Sequence, residues 1–307
     1  MPRIFLPLAL AALLSLALGL LWGSGGFSVD ALQLYWDLRA PRTFGAFACG
    51  GLLALAGALL QLLLRNPLAE PYMLGVSGGA SVAVFIAVLL GVSWSAAWWA
   101  GAAGALAALA LTFSLSLSVR GFRAERLLLT GVALAAGYSA LIALLSTLVP
   151  PAALPGMSFW LLGDTGAIAH VPLIWALLLA GLVMAIALSP RLDVLRLGDD
   201  KARSLGVNPV GLHVLLFVLS AVLTATAVMQ VGGVAFVGLI GPQLAGLLWA
   251  GSYRGTVLAS VLAGGTLLVL ADVLGRSLIA PLQIPTGVLT AALGVPWLIF
   301  LLRRKSF

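Results

Sequence analysis

The chain has 307 residues, of which 62% are hydrophobic and 8% charged, with a mean hydropathy of +1.18 and a formal net charge of +7. A water-soluble core of this size needs far more polar surface, so a soluble enzyme or binding module is excluded. No soluble basic face is available to hold a phosphate backbone, so the charge reads as membrane topology and not as a nucleic-acid footprint.

Apolar stretches predict ten helices, near 4–22, 44–64, 74–91, 96–118, 127–148, 171–189, 210–229, 233–250, 256–275 and 287–302. Ten spans in this length leave roughly 30 residues each, a 20-residue helix and a short loop. The expected fold is therefore all-α and integral to the membrane, as one domain over 1–307 with no room for a soluble catalytic unit. Met1-Pro2-Arg3 before the first run would also suit a signal peptide. Trp22-Gly-Ser-Gly-Gly26 follows that run instead of a small-x-small cleavage site, which favours an uncleaved helix. The second helix carries Cys49, the single cysteine, which has no disulfide or metal-ligand companion and reads as a small core residue. Gly78-Gly-Ala80 and Gly101-Ala-Ala-Gly104 supply the small faces through which helices approach in lipid.

Orientation follows from the basic residues. With the N-terminus inside, Arg3, Arg65, Arg120, Arg123, Arg126, Arg191, Arg196, Lys201, Arg203, Arg254, Arg303, Arg304 and Lys305 are cytoplasmic. Only Arg39, Arg42 and Arg276 are external. Both termini are expected in the cytoplasm of a bacterial inner-membrane protein.

Several chemistries are missing. No G-x-x-x-x-G-K-[ST] motif occurs, and neither Lys201 nor Lys305 follows a Gly-rich loop, so this chain has no P-loop site for ATP. His170 and His213 stand apart without zinc-ligand spacing, and no helix carries a carboxylate pair suited to acid–base work. Ionisable groups are nearly absent from the spans; Asp272 and Arg276 come closest, four apart and able to pair near the outer end of the ninth helix. An ion-coupled carrier or channel for a small polar solute normally keeps charge at mid-membrane depth, which counts against that alternative. A multispanning membrane enzyme lacks its clustered residues. Whatever powers the protein is expected in another chain.

Four segments interrupt the apolar pattern: Arg39-Ala-Pro-Arg42, Arg65-Asn-Pro-Leu-Ala-Glu-Pro-Tyr-Met-Leu-Gly-Val-Ser-Gly-Gly-Ala80, Leu197-Gly-Asp-Asp-Lys-Ala-Arg-Ser-Leu-Gly-Val207, and the set from Gly232 to Pro242 with Ile284-Pro-Thr-Gly287. At these residues, in order from about 35 to 302, the chain resembles the FecCD-type permeases, the membrane subunits of type II ABC importers for ferric siderophores, haem and cobalamin. The run from Asn66 to Pro71, then Leu74-Gly-Val-Ser77, Phe236-Val-Gly-Leu239, Ala271-Asp272 and Arg276 carry that resemblance. Two positions depart from the family pattern: Gln243 stands where a His is common, and Gly246 where an Arg is common.

The resemblance implies ten helices per subunit, a homodimer, two ATPase subunits that bind ATP and Mg, and a periplasmic substrate-binding protein. It implies no cofactor and no catalysis in this chain. The polar loop near 190–209 would dock in the ATPase through Asp199, Lys201, Ala202, Arg203, Leu205 and Gly206. Arg39, Arg42 and Arg276 would receive acidic groups of the binding protein, with an Asp272 bridge as the alternative for Arg276. Asn66 and Leu68 would form a cytoplasmic gate, in a turn that Pro67 and Pro71 keep from being helical. Gly137, Ser139, Ser146 and Thr147 on the fifth helix, with Trp160 at the outer mouth, would line a weakly adhesive path for a metal chelate. Which chelate is left open, with the iron-bearing ones preferred.

Overall fold

The computed structural model describes residues 2–23, 26–27, 35–118, 121–122, 124–249 and 251–304. Of the inner basic set, Arg120, Arg123 and Lys305 lie outside the described residues. Twelve α-helices follow in order among the described residues: α1 (Pro2–Leu21), α2 (Ala40–Leu64), α3 (Val76–Leu89), α4 (Trp94–Ser116), α5 (Ala124–Leu148), α6 (Leu154–Leu161), α7 (Val171–Leu195), α8 (Asp199–Ser204), α9 (Pro209–Val231), α10 (Val237–Leu248), α11 (Tyr253–Ser277) and α12 (Thr286–Arg304). A π-helical turn (Tyr35–Arg39) leads into α2, and a 3₁₀ turn (Pro71–Leu74) into α3. Two small antiparallel ribbons pair Trp22–Gly23 with Gly26–Phe27 and Leu117–Ser118 with Gly121–Phe122.

Among the described residues, six helical stretches are long and apolar enough to cross a membrane: Trp36–Leu64, Ala96–Ser116, Arg126–Leu148, Val171–Leu195, Pro209–Val231 and Tyr253–Ser277. Four apolar helices are shorter, at Phe5–Leu21, Val76–Leu89, Val237–Leu248 and Thr286–Leu301. At 1.5 Å per residue, α10 rises only about 18 Å and α3 about 21 Å, against about 30 Å of bilayer core. The expected spans at 233–250 and 74–91 are thus replaced by shorter helices entered through irregular backbone.

α2 is the axle of the fold. It is apolar on all sides, 20 of its 25 residues are buried, and α1, α7, α9, α10 and α11 surround it. Close approach depends on glycine: a Cβ on Gly57 would collide with the carbonyl of Gly238 in α10, and one on Gly50 with that of Gly264 in α11. Phe47, Leu52, Leu59, Leu178, Leu216 and Leu268 are among the side chains that fill the core around this helix. By contrast α5 leaves most of its surface open, with Leu129, Val132, Leu141, Leu144 and Leu148 exposed.

The loop expected at 190–209 is shorter in the structure. α7 continues through Pro190 to Leu195 because Leu192 and Leu195 still find core partners. Only the segment from Arg196 to Asn208 lies between α7 and α9, and it contains the single turn-and-a-half of α8.

Candidate functional site

Two clusters of charge define the ends of the molecule. At the end expected to face outward, Asp272 of α11 gathers residues from four parts of the chain. Its Oδ1 accepts from Arg42 Nε at 2.8 Å and from Thr165 Oγ1 at 2.5 Å, and its Oδ2 lies 3.2 Å from Arg276 Nε. Thr165 Oγ1 is also 3.0 Å from Thr286 Oγ1 at the start of α12. Arg276 donates to the carbonyl of Gly19, and Arg39 to those of Leu20 and Leu21, which ties the end of α1 to the same cluster. A carboxylate with its side chain fully buried is tolerated because two guanidinium groups and a hydroxyl surround it.

The Asp272 bridge expected as the alternative for Arg276 is present, and the three expected docking cations differ in how open they are. Arg276 is buried and pairs with Asp272; Arg39 is buried and bonded to backbone; Arg42 is the most open, with 19% side-chain exposure. All three border a cavity of about 270 Å³ together with Gln283.

Below this cluster the chain breaks its helices twice, and the two breaks satisfy each other. Gly232 and Gly233 end α9, and Phe236 takes a left-handed φ of 68° before α10. The backbone N–H of Phe236 donates to the carboxylate of Glu70, which sits in the non-helical stretch between α2 and α3. Gln61 Nε2 donates to the carbonyls of Ala69 (3.3 Å) and Gly238 (3.5 Å), and Gln243 Nε2 to that of Pro67. Tyr72 Oη accepts from Ser77 Oγ at 2.7 Å. Irregular backbone at membrane depth requires internal partners of this kind, since lipid offers none.

The sequence pointed to Asn66 and Leu68 in this stretch. Asn66 Oδ1 accepts the N–H of Leu68 at 2.9 Å, closing an Asx turn that holds both side chains half-buried. Glu70, Gln61 and Gln243 were not expected as partners. Glu70 was legible as a carboxylate between two prolines in an apolar context, whereas Gln243 was visible only as a departure from the family pattern. Beside the turn opens a cavity of about 640 Å³, bordered by Gln61, Arg65, Pro67, Arg196, Trp249 and Tyr253. Gly246, the second departure, also borders it with open space where a Cβ would stand.

At the opposite end, α8 stands between Gly198 (φ 111°) and Gly206 (φ 78°). Its predicted contact residues divide into two groups. Lys201, Arg203, Leu205 and Gly206 are exposed, while Ala202 is fully buried in the main core and anchors the helix instead of presenting a docking surface. Asp199 turns toward the rest of the chain: its carboxylate pairs with Arg65 and lies 3.5 Å from Nε2 of His213, the fifth residue of α9.

On α5, Gly137, Ser139 and Thr147 are exposed and Ser146 is half-buried. Their hydroxyls bond to carbonyls of their own helix, at 2.9 Å for Ser139, 2.7 Å for Ser146 and 2.7 Å for Thr147. The open surface of α5 therefore offers few free donors. Trp160 corrects another expectation. It is buried with Met157, one helical turn earlier in α6, among Val84, Phe85 and Ala97 of α3 and α4, and so does not face an open path in this chain.

Among the described residues, no group of three or more His, Cys, Asp or Glu could hold a metal ion. A model of the FecCD transport family matches residues 7–304. The chain is 36% identical over 296 residues to the iron(3+)-hydroxamate import system permease protein FhuB of Salmonella typhimurium, covering 94% of this chain and 42% of FhuB. The chain thus spans less than half the length of that relative. It is 36% identical over 301 residues to the vitamin B12 import system permease protein BtuC of Salmonella paratyphi A, covering 97% of this chain and 92% of BtuC. A solved structure described as an inward-facing conformation of a metal-chelate type ABC transporter superimposes with a TM-score of 0.87 at 30% identity, over 99% of both chains. PsaBC from Streptococcus pneumoniae, solved in complex with a Fab, matches with a TM-score of 0.63 at 18% identity, a likeness of fold alone.

Proposed function

The chain belongs to the FecCD transport family, and from that premise we propose that it is the permease subunit of an ATP-driven importer that carries a metal chelate into the cytoplasm. It is a multi-pass protein of the bacterial inner membrane. In this reading the six long and four shorter apolar helices make ten spans, and both termini lie in the cytoplasm. Two copies face each other across the open surface of α5, where Gly137, Ser139, Ser146 and Thr147 border the path. Two ATPase subunits, which bind ATP and Mg, engage Lys201, Arg203, Leu205 and Gly206. The substrate arrives on a periplasmic binding protein, whose acidic groups meet Arg42 and Arg39 at the outer cavity; Arg276 supports that site through Asp272.

One observation carries the reading: α8 is anchored in the core by Ala202 while its other face presents charged and apolar side chains outward. A membrane helix pair has no need of such a projection unless something docks on it. For the substrate we propose a ferric chelate, the class named for the FhuB relative; the vitamin B12 named for the BtuC relative is the competing cargo. The test is to purify the tagged chain from its native membrane in mild detergent and identify its partners by mass spectrometry. A stoichiometric P-loop ATPase is expected. Recovery of the chain without one under several mild conditions would overturn the proposal.

A further inference from the structure

Arg65 occupies a distinctive place in the fold. It is the C-cap of α2, held in a left-handed conformation (φ 49°), and is followed directly by Asn66, Pro67 and Leu68. Its guanidinium reaches 134 residues along the chain to the carboxylate of Asp199, the first residue of α8. His213, whose side chain is only 10% exposed, approaches the same carboxylate from α9.

We propose that Arg65 and Asp199 form the joint through which displacement of α8 is passed to the gate turn at 65–68. The proposal rests on the permease reading above and assigns Asp199 to an internal contact instead of the ATPase surface. Ala202 holds α8 as a unit against α7 and α9, so a push on its exposed face moves Asp199 with it. Arg65 can follow, because its neighbours on the gate side are a turn and not a helix. From that turn the contacts continue: Pro67 accepts from Gln243 of α10, and Glu70 accepts from Phe236 at the head of α10. A displacement at α8 thus has a continuous polar route to the helix that packs on α2.

The exposure of the pair suits this role better than a stabilising one. With side-chain exposures of 52% for Arg65 and 34% for Asp199, the pair adds little to folding. What it supplies is a specific tie between two elements distant in sequence, which can be broken and remade as the complex changes state.

The test uses the assembled permease–ATPase complex with a Leu68→Cys reporter, labelled by a membrane-impermeant maleimide in ADP and in a non-hydrolysable ATP analogue. Cys49 is fully buried and gives little background. With native Arg65 and Asp199, the labelling rates in the two nucleotides should differ by at least about threefold, a coupling within the range that contacting pairs show. Asp199→Arg and the milder Asp199→Asn should each remove most of that difference while the complex still assembles. The double swap, Arg65→Asp with Asp199→Arg, should restore it. A purely structural role would change assembly without changing nucleotide dependence. If Asp199→Arg and Asp199→Asn respond like the parent, or the double swap fails to recover in an intact complex, the joint is wrong. A parent reporter that shows no nucleotide response overturns the permease reading itself.

Discussion

The two ends of this molecule use the same residue types to opposite effect. At one end, Asp272 is fully buried at its side chain and shared by Arg42, Arg276 and Thr165, which draws α2, α11 and the segment before α7 into one knot. At the other end, Asp199 pairs with Arg65 in partial exposure, and His213 of α9 lies 3.5 Å from the same carboxylate. A buried pair is costly to break because either partner alone is stranded, whereas an exposed pair exchanges readily with water. The contrast suits a protein in which one end holds its arrangement while an element at the other end can move.

The largest effect is expected from Asp272→Ala. It strands two guanidinium groups, and the expected loss is about 3–5 kcal/mol, seen as a large fall in thermal stability of the detergent-solubilised protein. A change as mild as that of a surface residue would show that the outer knot holds nothing together. Next in size, Glu70→Ala leaves the N–H of Phe236 without its acceptor and should cost about 1–3 kcal/mol. Glu70→Gln keeps an acceptor oxygen and should lose less, so equal losses for the two variants would contradict the capping role. Gly57→Ala places a methyl against the carbonyl of Gly238 and should cost about 1–3 kcal/mol by forcing α10 away from α2. Asp199→Asn should sit at the small end, within about 1 kcal/mol in stability. A loss comparable to that of Asp272→Ala would erase the difference between the ends. Arg42→Glu should weaken association with the binding protein, measured by titration on the reconstituted permease, and unchanged affinity would remove Arg42 from the docking surface.

Where the helices lie was largely legible in the sequence, because lipid and core both demand long apolar runs and the loops between them are short. Runs alone did not reveal that α10 begins late, since Val234 to Phe236 are as apolar as the helix they precede. Nor did they show that α7 passes through Pro190, where the core contacts of Leu192 and Leu195 outweigh a missing N–H. At the site, the i,i+4 spacing made the Asp272–Arg276 pair readable, but the partner of Arg42 was not, because Arg42 and Asp272 are 230 residues apart. Ala202 and Trp160 failed as surface residues for a related reason. Which face of a short helix turns inward is decided by neighbours such as Met157 and Leu195, brought there by the fold and not by local spacing.

The most direct test of the account is transport by purified components in proteoliposomes, with the chain, its co-purified ATPase and its binding protein present. Uptake of a ferric chelate should require ATP and the ATPase subunit, and should persist when ion gradients are collapsed. Uptake by the chain alone, driven by an ion gradient and indifferent to ATP, would contradict the account at its centre.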